Sequence, residues 1–154
     1  MTHTAEEAVR GLWRTVAARD FDAFGEWLTD DCVYVDMPVG LTLAARGPVD
    51  IAKRVSIGLA GLAAYENHDG LLVADGDVVM YEHSETWTFT TGERFVLPFA
   101  TVHRVRDGKV SLWKDYWDFG AIMNHAPAWW VEGLATADTS WVYDATEELG
   151  QHLA

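Results

Sequence analysis

Disulfide bracing is excluded at the outset, because the 154-residue sequence holds a single cysteine, Cys32. One thiol fits a reducing compartment. Long apolar runs are missing too, and none approaches the roughly 20 residues that a membrane-spanning helix needs. The opening Met1-Thr2-His3-Thr4-Ala5-Glu6-Glu7 lacks the basic-then-apolar order of a secretory signal. The reading is a cytoplasmic protein. Basic residues are scarce, with 11 Lys and Arg against 24 Asp and Glu, for a net charge of -13. That balance argues against nucleic acid and against anionic membranes, since both need clustered cations. It names no partner by itself. No Gly-x-Ser-x-Gly elbow and no phosphate-binding glycine loop occurs.

Aromatic surface is abundant instead. Eight tryptophans supply large rigid apolar faces, each with one N–H that seeks a partner when buried. They suit a core, a dimer interface or an aromatic-walled pocket. Residues 5–19 place Ala5, Ala8, Val9, Leu12, Trp13 and Val16 on one helical face. Thr4 and Glu7 have capping-box spacing. Asp20 is the expected N-cap of a second short helix through Phe24, Trp27 and Leu28, ended by Thr29-Asp30-Asp31. A strand is predicted over 32–37. A third helix follows Gly47-Pro48, with Ile51, Val55, Leu59 and Leu62 buried.

From about residue 64 the pattern alternates with period two. It predicts strands at about 65–75, 77–89, 94–106 and 109–118, separated by Asp75-Gly76-Asp77, Thr90-Thr91-Gly92 and Arg106-Asp107-Gly108. Helices first and a meander second give an α+β domain, a curved antiparallel sheet packed with three N-terminal helices around a pocket. One domain is assigned to 1–154, with a core over 5–122 and a tail over 123–154 serving as lid or dimer contact. A short terminal helix is expected near Asp144 and Glu147.

Alternation also sets the candidate chemistry. Val79, Tyr81, His83, Glu85, Trp87 and Phe89 share one strand face. Trp113, Asp115 and Trp117 share another, and Cys32, Tyr34 and Asp36 a third. Three strands thus each set a carboxylate on a face that otherwise looks apolar, where burial costs several kcal/mol without a partner. Such a cluster suits a working site; a solvated face carrying Glu85 or Asp36 fits the same pattern. If His83, Glu85, Asp115 and His103 converge they could hold a metal, but no compact ligand motif is present and metal-free pairing is preferred. His103, in line with Phe95, Leu97, Phe99 and Thr101, reads as a core or interface histidine. Cys32 reads as a small buried hydrophobe.

Two segments carry a family resemblance. Trp113-Lys114-Asp115-Tyr116-Trp117-Asp118 after Asp107-Gly108-Lys109, and Tyr34-Val35-Asp36-Met37-Pro38, resemble limonene epoxide hydrolases. The likeness covers roughly residues 5–122. Its order of elements is similar to that of the nuclear-transport-factor-like cone fold, which includes ketosteroid isomerases, scytalone dehydratase and SnoaL-like polyketide cyclases. The resemblance implies that Asp115 is the base that activates water, that Tyr34 helps hold that water, and that Trp113 is a pocket wall. It sets Glu85 where the family has the aspartic acid that protonates the epoxide oxygen. His83 stands where the family has an arginine bridging the two carboxylates, and Asp36 where it has a water-binding asparagine. Three acids this close would not all ionise, and His83 would tend to be protonated.

The expectation is therefore a cofactor-independent acid–base enzyme, without metal, acting on a small hydrophobic oxygenated molecule and assembling as a homodimer. Asp115, Glu85, His83, Asp36 and Tyr34 are the catalytic candidates. Trp113, Trp117, Trp87, Trp13 and Phe99 are the substrate-binding candidates. Isomerisation, dehydration or polyketide cyclisation through Asp36 or His83 is the alternative. Asp36 followed by Pro38-Val39-Gly40 also resembles the base segment of ketosteroid isomerases, although Leu12 and Ala100 stand where that family has its oxyanion donors. A non-catalytic small-molecule binder is the remaining reading.

Overall fold

The computed structural model describes residues 2–150. Met1 and residues 151–154, the two ends of the domain assigned above, lie outside the described residues. Helix α1 spans Ala5–Ala18. The Thr4 side chain accepts from the Glu7 backbone N–H and the Glu7 side chain accepts from Thr4, so the capping box is formed. Its buried stripe is Ala8, Val9, Leu12, Trp13 and Val16. Asp20 caps a single 3-10 turn, Phe21–Ala23, which runs into α2, Phe24–Trp27.

The chain then extends directly into β1, Leu28–Asp36, four residues before the strand expected from residue 32. Thr29-Asp30-Asp31 belongs to this strand and does not close a helix. The reason is an irregular pairing with β7: between Leu28 and Val33, β1 advances five positions while its partner advances two, from Val110 to Leu112. Asp30 and Asp31 are turned to solvent in that bulge, which is how a strand accommodates turn-type residues.

Strand β2 (Ala44–Arg46) leads through Gly47, at φ +80°, into α3 (Pro48–Leu59). The single strand expected over 65–75 is two, β3 (Ala64–His68) and β4 (Leu72–Asp75). Both lie along the same edge of β5 (Val78–Thr88), and Asp69-Gly70 bends between them. Strands β6 (Arg94–Arg106) and β7 (Lys109–Trp117) complete the meander. Asp107 and Gly108 both take positive φ in the last turn, 53° and 76°, as a two-residue hairpin requires. The tail forms α4 (Phe119–Met123), α5 (Ala128–Leu134), β8 (Val142–Tyr143) and α6 (Thr146–Leu149).

The sheet order is β3-β5-β6-β7-β1-β2-β8, with β4 pairing β5 off this path. It is not wholly antiparallel as expected, because β1 and β7 run parallel. Period-two patterning reports faces, and hairpin turns report direction. No hairpin joins β1 to β7, so nothing local fixes their relative sense. The inner face of the curved sheet, α1 and α3 enclose the main core. A second, small cluster of Val33, Val35, Ala44 and Ala145 lies behind β1 and β2, where the tail wraps the sheet.

Gly70 is required by close approach: a Cβ there would lie 2.0 Å from the Glu82 carbonyl oxygen. Backbone cannot move aside as a side chain can, so Gly70→Ala should destabilise the protein by about 1–3 kcal/mol. Gly61, with nothing within 4 Å of its Cβ position, should tolerate alanine with little change. Urea denaturation of both variants checks this, and equal midpoints would contradict it.

Candidate active site

Sheet register aligns the acids. Asp36 stands opposite Asp115, and Asp115 opposite Thr101. One row along, Tyr34 faces Trp113 and Trp113 faces His103. Glu85 lies on the inner face of β5 opposite Leu97 and Asn67. Asp36, Glu85 and Asp115 are 6%, 7% and 7% exposed, so the solvated-face alternative does not hold for any of them. All three line one cavity of about 200 Å³ whose walls include Trp13, Trp87, Phe99, Trp113 and Trp117. The segment after β7 contributes to its lining. Ile122, Met123, Trp130 and Leu134 line it, and Trp130 meets Trp87 and Phe89 edge-on.

Each carboxyl is held by an indole N–H and one further donor. Trp113 Nε1 donates to Asp115 Oδ1 at 2.5 Å, and the Tyr34 hydroxyl to Oδ2 at 3.3 Å. Trp87 Nε1 donates to Glu85 Oε2 at 2.8 Å, and the Tyr65 hydroxyl donates to Oε1. Trp117 Nε1 donates to Asp36 Oδ1 at 2.9 Å, and Arg54 Nη2 lies 2.5 Å from Oδ2.

Around Glu85 and Asp115 these bonds stabilise the charged forms, yet they do not outweigh burial. Glu85 is pushed up to about 7, first by burial and then by the Asp36 charge, against the Tyr65 and Trp87 bonds. Asp115 is raised well above the carboxylate range by burial, then by Asp36 and Glu85. Glu85 and Asp115 therefore titrate as a pair that holds at least one proton near neutrality. Burial, followed by neighbouring carboxylates, also keeps Tyr34 and Tyr65 protonated.

His83 departs from expectation. Its Nδ1 lies 3.0 Å from Asn67 Oδ1, and among the described residues it makes no hydrogen bond to Glu85 or Asp115. The ring stacks on Tyr81 at 3.9 Å between centroids and touches Phe99 and Trp13. Burial, then His103, lowers it to about 3. The protonated, bridging histidine is thus corrected to a neutral ring held among aromatics. His103 is also neutral, lowered to about 3 by burial, and accepts from Trp13 Nε1 at 3.2 Å. Burial, then Asp31, raises the Cys32 thiol far from thiolate formation. Among the described residues no three His, Cys, Asp or Glu side chains group to hold a metal ion.

The residues that sequence reasoning missed are Arg54, Tyr65 and Asn67. Arg54 had a readable signal, since it sits at the i+3 position from Ile51 and next to Val55, a cation within the buried stripe of α3. Tyr65 and Asn67 alternate on β3 opposite Trp87 and Glu85, and only that pairing reveals their role.

The comparisons agree with this architecture. A family model described as a SnoaL-like domain matches residues 9–113. A solved LEH-like epoxide hydrolase from M. tuberculosis is 24% identical with a TM-score of 0.66, covering 86% of this chain and 92% of its own. A putative polyketide cyclase from Xanthomonas campestris pv. campestris is 19% identical with a TM-score of 0.70, covering 80% and 96%. TerC, co-crystallised with polyporic acid, is 20% identical with a TM-score of 0.69, covering 79% and 96%. At these identities the likeness establishes the fold. No curated protein sequence matches the chain.

The raised Glu85 has a stability consequence. Its folded value, about 7, exceeds the ordinary 4.5, so between those values the native state binds more protons than the unfolded one. The stabilising contribution is complete below about pH 4.5 and is lost as pH rises through about 7. The stability advantage of the wild type over Glu85→Gln should shrink across that window in urea denaturation. A difference independent of pH would show that Glu85 is not perturbed.

Proposed function

Because the chain belongs to the SnoaL-like domain family, we propose that it is a cofactor-independent acid–base enzyme that adds water to a small, neutral, largely apolar epoxide. The observation that carries this reading is the Glu85–Asp115 pair, two buried carboxyls lining one aromatic-walled cavity and unable to ionise together. A singly protonated pair supplies an acid and a base in the same site.

The two oxygens of Glu85 are engaged by close donors. The Tyr34 hydroxyl stands 3.3 Å from Asp115, beyond the usual 2.5–3.0 Å for an O–H···O bond. Water is better accommodated between Tyr34 and Asp115, which makes Asp115 the base. Asp115 takes a proton from water as the oxygen attacks a ring carbon. The carbon–oxygen bond breaks, and the ring oxygen takes the proton of Glu85. Transfer of the new proton from Asp115 to Glu85 restores the pair. The cavity is smaller than the roughly 300–1,000 Å³ of drug-sized ligand sites, which favours a compact substrate.

Proton abstraction from carbon by Asp36 or His83, as an isomerase, dehydratase or cyclase would need, is less well supported. Both oxygens of Asp36 are committed to Arg54 and Trp117, and His83 is bonded to Asn67.

Turnover of terpene and styrene-type epoxides in ¹⁸O-labelled water should place the label in a diol. Asp115→Asn and Glu85→Gln should each lower kcat/KM by about 10²–10⁴-fold. Activity should fall as pH rises through about 7, where Glu85 loses the proton it must give to the ring oxygen. No diol from a broad panel would overturn the reading. Ligand binding that survives loss of all three carboxyls, without turnover, would make the protein a binder.

A further inference from the structure

Among the described residues lining the cavity, Arg54 is the one Lys or Arg. Its side chain is 16% exposed, and Nη2 reaches Asp36 Oδ2. On its other side the guanidinium lies over the buried Trp141 ring, 5.4 Å from the centroid. Trp141 belongs to the tail and is fixed by donating to the Asp138 carbonyl. The guanidinium is thus held between β1 and the tail, with Asp36 as its hydrogen-bonded partner. Asp36 also meets Tyr34 from its own strand and Asp115 and Trp117 from β7, and Glu85 on β5 feels its charge.

We propose that Arg54 is a positioning residue that ties Asp36 up as its ion-pair partner between β1 and the tail and so keeps it from bonding Asp115, leaving Glu85 and Asp115 as the acid–base pair of the cavity. The catalytic meaning of this assignment rests on the acid–base reading above, although the assignment itself concerns protonation. Without the guanidinium, Asp36 would be a buried acid beside another buried acid, with the Trp117 N–H and the neighbouring Tyr34 hydroxyl as its remaining donors. It would take up a proton. A protonated Asp36 can donate its O–H to Asp115 and occupy the lone pair that the base needs. Arginine suits this task because it stays charged while buried and while stacked on an indole. Burial opposes that charge here, but Asp36, Tyr34 and Asp115 together raise the guanidinium above its ordinary value.

Removing one member of a buried ion pair is far more damaging than removing both. The test therefore compares Arg54→Met, Arg54→Lys and the double variant Asp36→Asn/Arg54→Met. Infrared difference spectroscopy across pH 5–9 counts protonated carboxyls without any substrate. Arg54→Met should show one additional protonated carboxyl at pH 7, and that band should vanish in the double variant. Arg54→Lys should keep the wild-type count. With an epoxide substrate, kcat/KM of Arg54→Met should fall at least about tenfold with a shifted acid limb, and the double variant should recover most of the loss. An unchanged carboxyl count in folded Arg54→Met would overturn the proposal. Should that variant fail to fold, the double variant decides: two titrating carboxyls as in the wild type support it, and any other number overturns it. If the wild type forms no diol, the infrared count still judges Arg54, so the two ideas fail separately.

Discussion

Everything about this cavity follows from burying three carboxyls with one guanidinium. A lone buried carboxylate is penalised by several kcal/mol, and proteins escape by pairing it, by supplying donors or by leaving it protonated. The chain uses all three escapes in one place. Asp36 is paired with Arg54. Every carboxyl receives an indole N–H. Glu85 and Asp115, which gain no cation, hold a proton instead.

Tryptophan makes this arrangement compatible with an apolar pocket. An indole offers a large hydrophobic surface and one donor with no acceptor. It can wall a cavity while its edge satisfies an acid. Two of the three indoles lie two residues from the acid they serve, Trp87 beside Glu85 and Trp113 beside Asp115. On a strand, that spacing places both groups on one face. The third bond crosses between strands, from Trp117 on β7 to Asp36 on β1, and so depends on the parallel pairing of those strands. The fold reaches the chemistry through that register.

Much of this was legible in the sequence, because the informative signals are local. The Thr4–Glu7 cap, the stripes of α1 and α3, and the glycine turns of the meander each declare themselves over a few residues. Alternation grouped Tyr34, Asp36, Glu85 and Asp115 on faces that otherwise look apolar, and burial in the structure decides against the solvated alternative for Glu85 and Asp36. The parallel sense of β1 was not legible, nor was the break at Gly70, since both depend on a partner distant in sequence. Tyr65 was hidden for the same reason. His83 differs for another reason: the resemblance sets it at the place of a bridging arginine, whereas the structure directs His83 Nδ1 to Asn67 and seats the ring against Tyr81 and Phe99.

That difference sharpens the comparison with the hydrolases the sequence resembles. There an arginine is expected at the place of His83, bridging the two acids, and an asparagine at the place of Asp36. Here the strand position is neutral, and the cation enters from α3 together with an added acid that absorbs it. The ion pair is internally balanced, so the cavity gains fixed dipoles without gaining net charge. The Glu85–Asp115 pair is left without a bridging cation, and its remaining remedy is to keep a proton. Trp130 and Leu134 of the tail add apolar surface to the cavity lining, and an apolar surrounding penalises a second negative charge more heavily. Sharing one proton is therefore imposed on Glu85 and Asp115 by where the chain places its arginine.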